Sequence, residues 1–446
     1  MTTADRFYSR LVTRDADSEH DLPDAVRREL PRNGLRLVAA NTLQSSGDQT
    51  VNASTVLPWL FHVIGVPAAF VGLLVPIRES GSMLPQAFLT PLVVRVRRRK
   101  WVFVTGALVQ AVSVAVMAAI AALGHGTAAG VGILAALVMF SLGRCLCSIA
   151  SKDVQGRTIP SGERGQIIGL ATSAAGLVAI TLGLAIRILG GGDLDSTELA
   201  LLLVAGAVLW ALSASTYSRV VEPAGEPGPR GGAEDGDGSS SWFADAARLF
   251  REDATFRRFV TVRGLLLVSS LSPPFIVSMS VAAGTGALTG LGGFILASGV
   301  ASLIGGRIFG RLADRSSRLL MAGAATAASV VAVALVLAVA LPGFDGGSAL
   351  GATVFVGAYF LLTLLHSGVR VGRKTYVVDV AEGDLRTTYV AVGNTAMGVI
   401  LLVVGGISSA LAVIGVQWAL VFLAVLGVIG AVSAVTMPEV SRGAAR

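Results

Sequence analysis

Residues 95–140 are RVRRRKWVFVTGALVQAVSVAVMAAIAALGHGTAAGVGILAALVMF, a basic segment followed by two apolar stretches with a short loop between them. A helix needs about 20 apolar residues to cross the hydrocarbon core of a membrane. Lysine and arginine mark the short loops that stay in the cytoplasm. The stretch therefore predicts two membrane-spanning helices, with residues 95–100 inside and the loop at 124–127, which has no lysine or arginine, outside.

Apolar stretches of spanning length recur over most of the chain. Its 446 residues are 53% hydrophobic and only 14% charged, with a mean hydropathy of +0.72, whereas soluble domains carry about 25% charged residues. A more polar candidate at 36–60 precedes the apolar spans, which lie at 66–94, 101–123, 128–150, 166–189, 198–220, 258–282, 287–310, 319–341, 349–370, 388–412 and 416–437. The sequence predicts an all-α polytopic membrane protein with twelve transmembrane helices.

Lysine and arginine concentrate in every second gap between these spans, and the intervening gaps at 124–127, 190–198 and 342–348 contain none. The basic gaps hold Arg95, Arg97, Arg98, Arg99, Lys100, Lys152, Arg157, Arg164, Arg311, Arg315, Arg318, Arg370, Arg373, Lys374 and Arg386. This alternation predicts a protein of the cytoplasmic membrane with both termini in the cytoplasm.

A polar linker divides the chain into two hydrophobic halves. Its segment EPAGEPGPRGGAEDGDGSSS at 222–241 cannot bury enough apolar area to fold. Residues 242–252 predict a short amphipathic helix, lying either on the inner membrane surface or packed on the loops. The first residues have no apolar run near Met1, which indicates a cytoplasmic arm and not a cleaved signal peptide. The predicted units are an N-terminal arm at 1–35, a first bundle at 36–220, the linker at 221–257, a second bundle at 258–437 and a tail at 438–446.

The two halves are related by a constant offset in residue number. The offset that aligns Lys152 with Lys374 also aligns Arg164 with Arg386, in a chain that has only three lysines. Six spans in each half, both entering from the same side, predict two six-helix bundles related by a pseudo-two-fold axis along the membrane normal.

The segment GGRIFGRLADRSSR at 305–318 resembles the loop signature of the major facilitator superfamily. The matching positions are Gly310, Leu312, Ala313, Asp314, Arg315 and Arg318. Glycine allows two helices to approach closely, aspartate can cap a neighbouring helix, and arginine binds an anionic membrane surface. We therefore interpret Gly310, Asp314, Arg315 and Arg318 as a cytoplasmic latch. The first half has a degenerate copy at 91–100, with Pro91 and Arg95 where glycine and aspartate are expected.

The resemblance implies a secondary transporter that moves a small solute by alternating access, without a cofactor. Its partners are then the solute, protons and membrane lipids, and we expect a monomer. The alternative is a transport-inactive protein of the same fold that acts as a membrane sensor or scaffold. An enzyme is not expected, because no catalytic constellation is visible in the sequence.

Charged and polar residues enter the first two spans. Asn41, Gln44, Ser45, Asp48, Asn52 and Thr55 share one face of an ideal helix, at 100° per residue. Such a stripe faces water or protein. The candidates for a substrate cavity are therefore Asn41, Gln44, Ser45 and Asn52, and Asp48 lies near the middle of the span. Arg78 and Glu79 are predicted at a similar depth in the second span. Because adjacent helix residues point in different directions, at most one of the two is expected to face Asp48, and we favour Arg78.

Two interpretations of these charges stay open. In the first, Asp48 or Glu79 takes up and releases a proton while Arg78 holds the partner, and the solute competes for the same charges. In the second, the three residues form a permanent ion pair or triad that fixes helix register.

Three further positions are candidates for the cavity wall. Pro273, followed by Pro274, either lines the cavity or only kinks its helix. Arg144 is either an anion contact in the cavity or an arginine that snorkels to the surface or binds a loop. Asn394 is either a hydrogen-bonding group of the cavity or a structural residue.

Other ligand classes are not expected. The net charge of +7 is spread over the predicted loops, without the interleaved aromatic residues of a nucleic-acid site. The four histidines and Cys145 and Cys147 lack ligand spacing, so no metal site is predicted. The segment GVRVGRKT at 368–375 has the wrong glycine spacing for a phosphate loop.

Overall fold

The computed structural model describes residues 3–12, 23–189, 194–224, 248–286, 290–380 and 383–438, which form helices joined by turns and short loops. Eight helices within these ranges are long and apolar enough to cross a membrane. Two shorter apolar segments, each part of a longer helix, lie at Gly169–Leu184 and Leu291–Gly305. The predicted all-α class and the multi-pass membrane character are confirmed.

The first half contains nine α-helices among its described residues. They are α1 (Thr3–Leu11), α2 (Asp24–Thr50), α3 (Val56–Val63), α4 (Val71–Met83), α5 (Gln86–Val94), α6 (Lys100–Leu123), α7 (Gly126–Thr158), α8 (Ser161–Leu189) and α9 (Ser196–Ser218). Helix α6 packs between α7 and α9, and α2 packs against α8 and α9.

The second half continues with α10 to α16. These are α10 (Ala254–Leu265), α11 (Val268–Ala282), α12 (Leu291–Arg315), α13 (Ser317–Val339), α14 (Ala349–Val380), α15 (Gly383–Ile414) and α16 (Val416–Val435). Helix α13 packs against α14 and α16, and α14 also contacts α11 and α12. The offset that aligns Lys152 with Lys374 brings the bounds of α7 and α8 close to those of α14 and α15.

Three predicted spans are broken in the structure. The candidate at 36–60 is divided into α2 and α3 by residues 51–55, and the span at 66–94 is divided into α4 and α5 at Leu84 and Pro85. The span at 258–282 is divided into α10 and α11. Proline explains the second break, because Pro85 has no N–H to donate to the carbonyl of Gly81. Helix α2 also begins at Asp24, before the predicted start at 36. Hydropathy detects the apolar part of a helix and does not show where a polar part extends the same helix.

Large apolar side chains cover the outer surface of the helices. Val112 of α6 and Val432 of α16 are each 64% exposed. An aqueous surface with many such residues is unfavourable, whereas lipid tails accommodate them. These faces therefore mark the lipid-facing side of the fold.

The two halves meet along α4 with α15 and along α8 with α12. Small residues allow the close approach. A Cβ added at Gly183 would lie 2.8 Å from the backbone nitrogen of Leu296, and one added at Gly405 would lie 2.8 Å from Cβ of Pro76. The two halves thus approach each other closely at these glycines, as in membrane helix pairs with small interface residues.

The helix ends form two opposite faces. We call the end that carries the turn at 95–99, between α5 and α6, the basic face, and the other end the opposite face. At the basic face, Asn33 exchanges hydrogen bonds with the backbone of Val221, and the carboxylate of Glu222 accepts from the backbone N–H groups of Arg99 and Lys100. Val221 and Glu222, which the sequence assigns to the linker, are therefore held against the first half. The predicted amphipathic helix lies mostly outside the described residues.

Candidate functional site

An ion cluster lies where α2, α4 and α7 meet. Nη2 of Arg78 donates to Oδ1 of Asp48 at 2.7 Å, and Nη1 of Arg144 lies 2.9 and 2.8 Å from Oδ1 and Oδ2. We call these three residues the ion triad. Their side chains are 11%, 19% and 30% exposed for Arg78, Asp48 and Arg144 respectively. One carboxylate faces two guanidinium groups, so the triad carries a net charge of +1.

The triad confirms one geometric prediction and corrects another. Arg78 contacts Asp48 as the sequence predicts. Arg144 does not reach for a surface or a loop in this structure, because its guanidinium contacts Asp48 and α7 runs to Thr158, beyond the predicted end at 150. At 1.5 Å per residue, Arg144 lies about 21 Å from the end of α7 at Thr158. It is therefore deep in the fold, at the level of Asp48.

A cavity of about 270 Å³ lies between the two halves. We call it the central cavity. Its polar lining includes Asn52, Glu79, Arg263, Ser270, Tyr359 and Arg373. Arg78 of the triad also reaches its wall. The cavity is thus bordered by charged side chains from both halves.

A second cavity, of about 380 Å³, lies inside the first half between α2 and α7. We call it the triad cavity, because Asp48 and Arg144 line it. Asn41, Gln44 and Ser45 of α2 form part of its wall. The ion triad therefore separates the two cavities, with Arg78 on the central side and the other two members on the triad-cavity side.

The predicted polar stripe of the first span is divided by the break after Thr50. Asn41, Gln44 and Ser45 stay on α2, whereas Asn52 lies in the turn and lines the central cavity instead. There its Oδ1 accepts from the backbone N–H of Ser54 at 2.8 Å. The single continuous face predicted for 41–55 is wrong, because the helix that would carry it ends at residue 50.

Glu79 lines the central cavity next to Arg78. Among the described residues, no ion pair includes its carboxylate, whereas both oxygens of Asp48 are occupied by guanidinium donors. Asp48 is therefore ion-paired on both oxygens, whereas Glu79 has no ion pair among the described residues.

Pro273 lies within α11 and lines the central cavity, as one of its two predicted alternatives states. Pro273 and Pro274 cannot donate to the carbonyls of Ser269 and Ser270, one helical turn earlier. Both serines line the same cavity. The two prolines thus leave the backbone carbonyl oxygens of Ser269 and Ser270 as hydrogen-bond acceptors at the cavity wall.

Asn394 acts behind the cavity wall. Its Oδ1 accepts from Nη2 of Arg263 at 3.1 Å. Arg263 itself lines the central cavity. Asn394 therefore orients an arginine that the sequence did not single out.

Helix α14 contributes a stripe of cavity residues at helical spacing. They are Tyr359, Thr363, His366, Arg370 and Arg373. The sequence assigns the two arginines to a cytoplasmic loop, but α14 continues to Val380 and places them on the cavity wall. The alternating intervals of four and three positions are those of one helix face and could have indicated the stripe.

The predicted latch is described in part. Arg318 donates to the carbonyl oxygens of Val435 at 3.2 Å and Met437 at 2.7 Å, and Arg315 is exposed. The side-chain environments of Gly310 and Asp314 lie outside what the structure describes. The N-terminus of α13 is capped by Ser316, whose Oγ accepts from the N–H of Leu319 at 3.3 Å.

The sequence profile of the Major Facilitator Superfamily matches residues 38–354. No curated protein sequence matches the chain. Three solved structures have the same fold. The peptide transporter POT in complex with sulfate has a TM-score of 0.70 at 10% identity, over 98% of each chain. A mutant of the nucleoside transporter NupG has a TM-score of 0.68 at 12% identity, over 91% of this chain and 99% of that one. A D-xylose–proton symporter has a TM-score of 0.67 at 13% identity, over 92% and 98%.

The profile covers well over half of the chain, and it extends from the start of the polar first span into α14. The similarity to solved structures, at 10 to 13% identity, shows a shared fold. Together with the apolar helices and the cavity between the halves, these matches establish that the chain belongs to the Major Facilitator Superfamily, a family of membrane transporters and not of enzymes.

Proposed function

We propose that this protein is a secondary active transporter, which moves a small solute across the cytoplasmic membrane by alternating access and couples this movement to protons. The central cavity carries the proposal, because both halves line it and charged side chains border it. A site at the junction of two halves is exposed to each side in turn when one half rocks against the other.

The proposed architecture is twelve transmembrane helices in two six-helix bundles. Helix pairs α2 with α3, α4 with α5, and α10 with α11 each count as one broken span, and each remaining helix from α6 to α16 counts as one. The recurrence of helix bounds under one constant offset supports a pseudo-two-fold axis along the membrane normal. The basic face is then cytoplasmic, with the N-terminal arm, the linker and the tail on that side.

The packing between the halves supports an inward-facing conformation. Close contacts lie toward the opposite face, where a Cβ added at Gly290 would be 2.7 Å from the ring of Trp59. One added at Gly72 would be 2.8 Å from Phe275. Arg370, at the end of the central cavity toward the basic face, is exposed. The solute would thus enter or leave the cavity at the cytoplasmic side in this state.

We assign the proton-coupling role to Glu79, with the ion triad as its partner. A proton on Asp48 must displace an arginine, since both carboxylate oxygens already accept from guanidinium groups. Glu79 lines the cavity without an ion pair among the described residues, so it can exchange a proton with the cavity. Asp48 then controls the position of Arg78, which faces the same cavity. In this proposal the cluster acts in transport and also holds its three helices together, so it combines the two roles that the sequence left open.

Purified protein in proteoliposomes tests the proposal. Solutes that raise the melting temperature of the detergent-purified protein are first selected from a panel of metabolites and antibiotics. We expect a selected solute to move protons across the liposome membrane, as recorded by an internal pH-sensitive dye, and the protein-free liposomes to show no such movement. If no solute in the panel is transported, with or without protons, the sensor or scaffold alternative is favoured instead.

A further inference from the structure

The central cavity is strongly cationic. Four arginines, Arg78, Arg263, Arg370 and Arg373, are among its described lining residues, and Glu79 is the one acid among them. Arg78 shares the carboxylate of Asp48 with Arg144. The remaining three arginines therefore face one carboxylate across a cavity of about 270 Å³.

These three arginines have no acidic partner within ion-pair distance in the described part of the chain. Arg263 donates to the side chain of Asn394 through Nη2, while its Nε is buried without a hydrogen-bond partner among the described residues. A charged side chain at membrane depth is energetically unfavourable, so such residues are paired or bind a ligand. The cavity is consequently short of negative charge.

Neutral hydrogen-bonding groups surround the arginines. Oγ of Ser269 lies 3.2 Å from Nδ1 of His366, and both residues line the cavity. The hydroxyl-bearing side chains of Tyr359 and Thr363 line it from the same helix as His366. Guanidinium groups bind carboxylate and phosphate oxygens through two parallel hydrogen bonds, and hydroxyl donors complete the coordination of such oxygens.

We infer that the transported solute is a small organic anion whose carboxylate or phosphate group binds Arg263 and Arg373, with Arg370 attracting it at the cytoplasmic end of the cavity. This inference rests on the proposed transport function and names its substrate class. The volume lies at the lower edge of the roughly 300 to 1,000 Å³ that ligand pockets occupy, which suits a small solute.

Binding is tested with the full-length protein in phosphatidylcholine nanodiscs, which contain no anionic headgroup to compete. The probes are glycerol phosphate and succinate, each with a neutral counterpart of similar size, glycerol and succinamide. We expect at least one anion to raise the melting temperature and its neutral counterpart to leave it unchanged. Which of the two anions binds distinguishes a phosphate from a carboxylate ligand. Addition of phosphatidylglycerol shows whether a lipid headgroup occupies the same site.

The variants Arg263→Gln and Arg373→Gln should each weaken binding of the anion about tenfold or more, equivalent to about 1.4 kcal/mol. Arg373→Lys keeps the charge and should retain part of the affinity, which separates loss of charge from loss of fold. Arg95→Gln, exposed at the basic face, is the matched control and should bind as the wild type does.

Equal binding of neutral and anionic probes, absence of binding by both anions, or unchanged anion affinity in both glutamine variants would overturn the inference. Failure of the transport proposal is a different result. If liposomes carry a neutral solute and Arg373→Gln does not slow it, the anion inference is wrong and transport stands. If no solute moves at all, the transport proposal itself fails.

Discussion

Arg144 donates to both carboxylate oxygens of Asp48, across 96 residues of sequence, while Arg78 donates to one of the same oxygens from a third helix. Three helices of the first half are thereby joined at one carboxylate. Removing that charge leaves two guanidinium groups without their partner. The surplus of positive charge makes Asp48 more important for stability than either arginine alone.

Asp48→Asn should lower both stability and flux. Breaking a buried ion pair by removing one partner costs roughly 3–5 kcal/mol, because the remaining charge is uncompensated. Flux should fall because Asp48 positions Arg78 at the central cavity, and the melting temperature should fall because two ion pairs are lost. Differential scanning fluorimetry and the liposome flux assay measure the two effects.

The double variant Asp48→Asn with Arg144→Gln is the control for that prediction. It restores the net charge of +1 at the cluster, so its melting temperature should recover relative to Asp48→Asn alone. Flux should stay absent if Asp48 positions Arg78 for the solute. Full coupled flux in either variant contradicts a functional role for Asp48.

Glu79→Gln should separate proton coupling from solute movement. The substitution removes an acid that has no ion pair among the described residues, so the melting temperature should fall less than in Asp48→Asn, where two direct ion pairs are lost. We expect solute exchange down its own gradient to continue, while proton movement with the solute is lost. Solute counterflow measures exchange of the solute, and the signal of the internal pH-sensitive dye measures proton movement. Proton movement at the wild-type rate would show that Glu79 is not the carrier.

Most of the fold could be predicted from the sequence, because hydropathy measures the same transfer free energy that places a helix in lipid. The pairing of Arg78 with Asp48 was also predictable, since both were assigned to a similar depth. The break at 51–55 was not, because the polar residues around it fit a continuous helix as well as an interrupted one.

The positions of Arg263, Arg370 and Arg373 were missed for a different reason. Charge near the end of an apolar run marks a cytoplasmic loop in most membrane proteins, and a cavity that opens to the cytoplasm produces the same pattern. Polar residues at helical spacing around an arginine indicate a helix face that lines a cavity, whereas a loop shows no such spacing. On α7 the same test works, because Arg144, Ser148, Ser151 and Gln155 all line the triad cavity.

Tyr8→Phe should loosen the N-terminal arm from the first half. The hydroxyl of Tyr8 donates to Oε2 of the buried Glu163 at 2.5 Å, and its ring packs against Gly34 of α2. A hydrogen bond to a charged group contributes about 1.5–3 kcal/mol. We expect faster hydrogen exchange in α1 and in the first turn of α8. Ser9→Ala, which alters an exposed neighbour on the same helix, should leave exchange unchanged. Equal exchange in the Tyr8 variant and the wild type would contradict this anchoring role.

Gly405→Ala and Gly406→Ala should have opposite consequences although the residues are adjacent. A Cβ at Gly405 would overlap the ring of Pro76 and lie 2.8 Å from its Cβ, at the seam between α15 and α4, whereas one at Gly406 meets no atom within 4 Å. The proline carbons cannot move far, because they belong to a ring within α4. Overpacking of this kind costs about 1–3 kcal/mol. Gly405→Ala should therefore lower the melting temperature and slow flux, because it separates the halves where α4 and α15 pack against each other. Gly406→Ala should match the wild type in both measurements. If the two variants behave alike, close contact between α4 and α15 is not required for stability or transport.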